Sequence, residues 1–242
     1  IGACDWSSDV CSSDLQSIAL ASIDSDSNLD AVITNAAWVN RLYLGDGTGG
    51  FSAGVDIASV QNDSYGIAAG DLNGDTHTDL FVANGSSQVN RVYIGDGSGM
   101  FTGSDASVDT NESWGVVLSD FDSDGNLDAF VGNNGTPNRI YLGDGTGGFA
   151  AGTDATADSD ATRGVAAGDF TGDGHADVFA ANFGFADPNL LYISDGTGGF
   201  SSVDASPDTV ASTAVAAGDL NNDGNLDAFV ANDGEPNLIY IG

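Results

Sequence analysis

Nine consecutive residues, Asp120-Phe121-Asp122-Ser123-Asp124-Gly125-Asn126-Leu127-Asp128, put carboxylates at loop positions 1, 3, 5 and 9 and a glycine at position 6. Alternate residues of a tight loop can turn their oxygens toward one centre, and calcium takes six to eight hard oxygens in a flexible shell. Asn126, at position 7, would contribute its backbone carbonyl. Gly125 stands where such a turn needs a left-handed backbone, which glycine adopts without steric cost. The first half fits the D-x-[DN]-x-[DN]-G pattern of helix-flanked calcium loops, but the last carboxylate follows the glycine by three residues rather than six. The flanks, Val116-Val117-Leu118 and Ala129-Phe130-Val131, are short apolar runs. The loop is therefore predicted to join two strands.

The same loop begins again at Ser22, Asp71, Asp169 and Asp219, so that the copies stand 49 or 50 residues apart. The copy at 120–128 keeps Asp120, Asp122, Asp124, Asn126 and Asp128. The copy at 219–227 keeps Asp219, Asn221, Asp223, Asn225 and Asp227. The copy at 169–177 offers Asp169, Thr171, Asp173, the carbonyl of His175, and Asp177. The copy at 71–79 offers Asp71, Asn73, Asp75 and Asp79, but places the β-branched Thr76 at the glycine position, a costly choice at positive φ. The copy at 22–30 has Ser22 and Ser27 for the first carboxylate and the glycine, and retains Asp24, Asp26 and Asp30. Up to five calcium ions are expected, the first site weakest. Crowded carboxylates without a cation are expected to show raised pKa values.

A fixed period of this length signals a repeat architecture. Each unit reads as a small-residue strand (Ser17 to Ala21, Gly66 to Gly70, Gly115 to Ser119, Gly164 to Gly168, Ala214 to Gly218), then the acidic loop, then a second strand such as Leu80 to Ala83. A third strand carries Tyr43, Tyr93, Tyr141, Tyr192 or Tyr240. A Gly/Asp-rich turn (GDGTGGF at Gly45 to Phe51) leads to a polar outer strand that starts at Phe51, Phe101, Phe149 or Phe200. Gly and Asp supply the positive φ that a bulged hairpin requires. Four short antiparallel strands per unit describe the blade of a β-propeller, an all-β fold. The units run approximately 16–63, 64–112, 113–161, 162–211 and 212–242.

The order D-x-[DN]-x-D-G-x-x-D, hydrophobic strand, N-x-Y and G-x-G-x-F resembles the FG-GAP and VCBS-type repeats of integrin-alpha-like β-propellers, over residues 16 to 242. The resemblance implies that the loop between strands one and two binds calcium. It also implies a secreted or cell-surface module that mediates adhesion or ligand binding. Phe-Gly starts are absent; Tyr65-Gly66, Trp114-Gly115 and Arg163-Gly164 take their place.

Residues 1–15, with the run Asp5-Trp6-Ser7-Ser8-Asp9, read as a translated sequencing adapter; a native Ser/Asp-rich linker is the alternative. This segment holds both cysteines, Cys4 and Cys11, so the repeats carry no disulfide argument. The fifth unit stops after its third strand, which predicts a piece of a larger propeller of about seven blades. Only 4 Lys+Arg face 36 Asp+Glu, a formal charge of −32. No basic stripe exists to neutralise phosphates, which argues against nucleic acid and anionic membrane surfaces as partners. No stretch has the apolar length of a membrane span. The acidity equally suits a solvated, salt-tolerant surface.

His77 and His175 fall at loop position 7, with no His or Cys partner at zinc-ligand spacing. No Gly-x-Ser-x-Gly context is present, and the loop carboxylates are committed to a cation rather than to a glycosidase pair. The chain is expected not to be an enzyme. Arg41, Arg91 and Arg139 each follow Asn and are expected to form structural ion pairs. One position just before the inner strand varies among units: Gln16, Tyr65, Trp114, Arg163, Thr213. A propeller would gather it into a ring at one end of its channel, so Tyr65, Trp114 and Arg163, with Trp38, Phe183 and Phe185 in nearby connections, are candidate contacts to a protein or carbohydrate partner. Ordinary loop drift is the competing explanation. A sugar-binding lectin propeller and the propeller of a polysaccharide-degrading enzyme are the alternative functions.

Overall fold

The computed structural model describes residues 15–184 and 187–242, so Cys4, Cys11 and Phe185 lie outside the described residues. Numbered in chain order, the inner strands are β1 (Leu15–Ala21), β5 (Ser64–Gly70), β9 (Ser113–Ser119), β13 (Thr162–Gly168) and β17 (Ser212–Gly218). The second strands are β2 (Asp30–Asn35), β6 (Asp79–Asn84), β10 (Asp128–Asn133), β14 (Asp177–Asn182) and β18 (Asp227–Asn232). The third are β3 (Arg41–Tyr43), β7 (Arg91–Gly95), β11 (Arg139–Tyr141), β15 (Leu190–Ser194) and β19 (Leu238–Tyr240), and the outer ones β4 (Val55–Asp56), β8 (Phe101–Asp105), β12 (Thr153–Asp154) and β16 (Phe200–Asp204). They form five antiparallel blades, four of four strands and the fifth of three, each in simple chain order. The inner strands pack side by side in the order β1, β5, β9, β13, β17. This is a β-propeller.

The strand bounds differ from the sequence expectation in three ways. Each second strand extends one residue further at both ends and so takes in the position-9 Asp, as β6 runs Asp79–Asn84 rather than Leu80 to Ala83. Outer strands beginning at Phe form only in blades two and four. In blades one and three Phe51 and Phe149 make single bridges to Gly45 and Gly143, and the strand proper is two residues, Val55–Asp56 and Thr153–Asp154. The outer edge faces solvent, so little burial there enforces pairing. Each inner strand also begins two residues earlier than predicted. β1 includes Leu15, the last residue of the segment set aside, and Leu15 pairs with Asn35.

The hydrophobic core lies between blades rather than within them. Blades one and two bury Val32 and Leu42 against Leu80, Val82 and Tyr93. The next joint buries Phe81 and Val92 against Val131 and Tyr141, and the third buries Phe130 and Ile140 against Val178 and Tyr192. One aromatic contact recurs from the second joint onward. Phe81 meets Tyr141 and Phe149, Phe130 meets Tyr192 and Phe200, and Phe179 meets Tyr240, with ring centroids 5.0–6.0 Å apart. The equivalent of these phenylalanines in blade five, Phe229, is 41% exposed. Ile18 and Leu20 on the free flank of blade one are each 56% exposed. The end flanks are thus built like the joints but carry no neighbouring blade among the described residues.

A buried polar relay runs beside three of the apolar joints. Asn138 Nδ2 donates to Thr162 Oγ1 (3.0 Å) in the next blade, and Thr162 Oγ1 donates to Asn182 Oδ1 (2.8 Å). Asn40–Ser64–Asn84 and Asn189–Ser212–Asn232 repeat the pattern. Within the blade, Asn138 Oδ1 accepts from Asn133 N, as Asn90 does from Asn84 and Asn189 from Asn182. Every member of these relays would be costly to bury alone, so the joint is specified by polar matching as well as by packing.

Candidate functional site

The acidic loops leave the C-terminal ends of the inner strands, and their shape comes from the backbone. Positions 4 and 6 both have positive φ in every copy: Ser25 and Ser27, Gly74 and Thr76, Ser123 and Gly125, Gly172 and Gly174, Asn222 and Gly224. Thr76, at φ 71°, carries the strain expected of it. The requirement at position 4 was not read from the sequence, although Gly74 and Gly172 signal it. In the loops that start with Asp, the first carboxylate organises the turn. Asp120 accepts from the N–H of Asp124 (3.1 Å) and of Gly125 (3.0 Å), and Asp71, Asp169 and Asp219 accept from the same places.

Position 9 has a further role. Asp30, Asp79, Asp128, Asp177 and Asp227 are fully buried. In each, one carboxylate oxygen accepts from the N–H of loop position 2 and the other from an N–H at the end of the third strand. For Asp128 these are Phe121 N and Gly143 N, both 2.8 Å; Asp227 receives Leu220 N and Gly242 N. The carboxylate therefore braces loop against turn whether or not it also meets a cation. Position 7 seats against the turn as well. A Cβ on Gly145 would collide with Asn126 Oδ1, and one on Gly97 with His77 Nδ1. His77 and His175 thus lie against the turn glycines Gly97 and Gly196.

Among the described residues, two loops gather three carboxylates with oxygens all within 4.8 Å of one another: Asp120, Asp122 and Asp124, and Asp24, Asp26 and Asp30. Calcium–oxygen bonds of about 2.3–2.6 Å put opposed ligands about 5 Å apart, so both triads have the donor chemistry and spacing for that ion. The first loop, expected weakest, is one of these two. It has no position-1 carboxylate, and Asp30 Oδ2 accepts from both Ile23 N and Asp24 N, as Asp177 Oδ2 does from Phe170 N and Thr171 N. The other three loops have Asn73, Thr171 and Asn221 at position 3; each holds three carboxylates, as many as the first loop and one fewer than the loop at 120–128.

The expected rise in carboxylate pKa holds only where the group is buried. Burial pushes Asp128 up to about 6 and raises Asp79, with neighbouring carboxylates a smaller cause. The exposed position-5 groups Asp26, Asp75 and Asp223 are instead held below the usual range, first by the N–H two residues on. Water screens the mutual repulsion of such groups, whereas a backbone hydrogen bond acts at contact.

The opposite ends of the inner strands carry the second candidate site. In all five, the register against the second strand skips one residue: Gln16, Tyr65, Trp114, Arg163 and Thr213. These are β-bulges, which re-aim a side chain out of the pleat. All five bulged residues line one open cavity of about 320 Å³ between the inner strands. The structure thus gathers the variable position of all five units around one space. Tyr65 stacks on Trp114 at 5.2 Å and 9°. The Arg163 guanidinium lies 4.2 Å from the Trp114 ring centre and 3.4 Å from that of Phe183. Trp38, by contrast, is 56% exposed and bridges to Asn62. The other three arginines do pair with acid: Arg41 with Asp56, Arg91 with Asp105, and Arg139 with Asp154 and Asp109.

Blades of this kind, each with an acidic loop between its first two strands, define a repeat-built β-propeller with candidate cation loops. Four overlapping stretches, residues 23–82, 71–131, 120–180 and 169–230, match the FG-GAP-like repeat, and the chain belongs to that family. No curated protein matches it in sequence. Its fold is similar to that of a putative exo-β-1,3-galactanase from Bifidobacterium bifidum (12% identity, TM-score 0.57, 90% of this chain and 82% of that one). It is also similar to the rhamnogalacturonan lyase of Bacillus licheniformis (11%, TM-score 0.55, 91% and 47%). The Vibrio cholerae biofilm matrix protein Bap1 aligns at 20% identity with a TM-score of 0.49, over 88% of this chain and 34% of Bap1. The chain thus spans well under half of Bap1 and about half of the lyase. No helix among the described residues is long and apolar enough to cross a membrane.

Proposed function

We propose that the chain is a calcium-stabilised propeller module of a secreted or cell-surface protein, and that it recognises a ligand rather than transforming one. The observation that carries the reading is the pair of three-carboxylate clusters, each in a loop preshaped by its own backbone hydrogen bonds. Asp120, Asp122, Asp124 and the carbonyl of Asn126 would hold one ion, with Asp128 bracing the loop; Asp24, Asp26 and Asp30 would hold another. A bound cation supplies charge neutralisation and fixes the loop against the turn of the same blade. The neighbouring turn already donates across the joint, from Gly198 N to Phe121 O (3.1 Å), so fixing the loop also steadies the next blade. A site filled at a hundred times its dissociation constant adds about 2.7 kcal/mol. The test is thermal melting in chelator and in millimolar calcium. Melting temperatures several degrees higher in calcium are expected, and equal ones would refute the reading. The lectin alternative is favoured by the cavity ringed with Tyr65, Trp114 and Arg163. The similarity in fold to a galactanase and a lyase keeps the degradative alternative in view, and product release from a polysaccharide would establish it.

A further inference from the structure

From the bulged ring, we infer that the cavity between the inner strands is a binding site for a carboxylate-bearing sugar, a uronate unit of an acidic glycan, with Arg163 as its anchor. The inference rests on the reading of the chain as a recognition module and names the ligand class of its cavity.

Three observations carry it. First, every inner strand spends a bulge on the same position, and the five side chains so placed differ in each blade while lining one space. A bulge needed only to end the strand would not require that side chain to face the cavity.

Second, Arg163 makes no hydrogen bond or contact ion pair among the described residues, in a chain with 36 acidic residues; the charge of Asp233 acts on it only without such a contact. The rings of Trp114 and Phe183 cover the guanidinium, which leaves its in-plane edge of N–H donors. A flat acceptor with two oxygens fits such an edge in bidentate fashion. The Trp114 ring, stacked on Tyr65, holds the guanidinium in place, so the donor that calls for an acceptor is Arg163 itself.

Third, the rest of the wall suits hydroxyls. Each inner strand is an edge of its blade, so one row of backbone N–H and C=O groups is left outside any ladder. A hydroxyl donates and accepts at once and can meet both kinds of group. The cavity lies near the lower end of ligand-pocket sizes, with room for about one or two pyranose rings. Gly66, Gly115 and Gly164 keep the wall close-set: a Cβ on Gly66 would stand 2.6 Å from Trp114 O and one on Gly164 2.8 Å from Ala214 Cα.

The site lies at the opposite end of the inner strands from the acidic loops, about 20 Å away for a seven-residue strand. This separation makes the test clean, because uronates also chelate calcium. The full chain is titrated calorimetrically with tri-galacturonate in millimolar calcium, alongside the methyl-esterified trisaccharide and an aspartate-containing tripeptide. The same samples are melted with and without chelator. Saturable binding of tri-galacturonate is expected, with the ester and Arg163→Gln each weaker by about ten- to a hundredfold, the scale of a charge-assisted hydrogen bond. Arg163→Lys, which keeps the charge and loses the planar edge, should fall between. Equal binding by Arg163→Gln, equal binding of the ester, tighter binding of the peptide, or no binding by a chain that melts higher in calcium would each overturn this inference and leave the calcium reading intact. Loss of the calcium effect on melting would instead overturn that reading.

Discussion

Replacing Asn138 by alanine tests whether the polar relay specifies the joint between blades three and four. Asn138 is 2% exposed, and its side chain makes three buried hydrogen bonds: from Asn133 N (2.8 Å), to Thr162 Oγ1 (3.0 Å) and to Tyr192 OH (2.9 Å). Alanine leaves Asn133 N–H buried without an acceptor, at about 1–3 kcal/mol, and removes two further bonds at about 1 kcal/mol each. The sum is a loss of about 3–5 kcal/mol, of the same order as the whole stability of many domains. At about 2–4 °C per kcal/mol for a chain of this size, the melting temperature should fall by about 6–20 °C. The control is the equivalent Asn237 in blade five. Its Oδ1 accepts from Asn232 N (3.0 Å), but in exposed surroundings, where water can replace it. Asn237→Ala should cost about 1 kcal/mol or less. Urea titration of both variants in calcium gives the two numbers, and equal losses would refute the claim that burial in the joint and the bonds across it make Asn138 the costlier residue to lose.

Thr76→Gly relieves a β-branched residue at φ 71° and should stabilise the chain by about 1 kcal/mol in calorimetry; a loss would mean that the threonine is held by contacts that repay its strain. Gly164→Ala would set a Cβ 2.8 Å from Ala214 Cα and 3.1 Å from Val215 N, backbone that cannot yield, and should cost about 2 kcal/mol. Gly218→Ala, with nothing within 4 Å, should fall within about 0.5 kcal/mol of wild type by the same urea titration. Asp160 is pushed up to about 6 by burial, with Asp187, Asp158 and Asp204 adding repulsion. A carboxyl whose folded pKa is raised loses stability as pH climbs from about 4 to about 6 and then levels off. Asp160→Asn should therefore gain about 1–2 kcal/mol at pH 7.5, after discounting for partial exposure, and nothing at pH 4. Urea midpoints across that range check the slope.

The repeat, the strand order and the loop positions could be read from spacing alone, because a 49-residue period of Asp, Gly and Tyr leaves few other folds. The ring of Gln16, Tyr65, Trp114, Arg163 and Thr213 was also legible, since variation at one fixed place in a constant frame points to a shared location. Its bulge was not, because no residue type marks it and only the register against the second strand reveals it. The relay from Asn138 to Thr162 to Asn182 was hidden for another reason. Asn next to Gly and Pro reads as a turn, and the partner of each Asn lies 20 or 24 residues away. The dual use of Asp128 was masked by the strength of the cation pattern: a carboxylate at a ligand position invites one explanation, and its two backbone donors lie 7 and 15 residues away. The loss of a carboxylate at Ser22 was visible in the sequence, whereas the approach of Asp24 and Asp26 to Asp30 was not.

The relay has a bearing on how such a chain can change length. Blades one, three and four each carry a donor Asn toward the following blade, which receives it on a Ser or Thr. Asn189 to Ser212 repeats Asn138 to Thr162 with the same atoms at the same 3.0 Å. Each such joint is in effect the same plug and socket. A segment excised from Thr162 to Ala211, the residue before Ser212, would take one hydroxyl and one donor Asn with it, and Asn138 would then face Ser212 across the new joint. Duplicating or deleting a whole unit of this kind should leave no unmatched seam, whereas a cut through the middle of a unit would strand both halves.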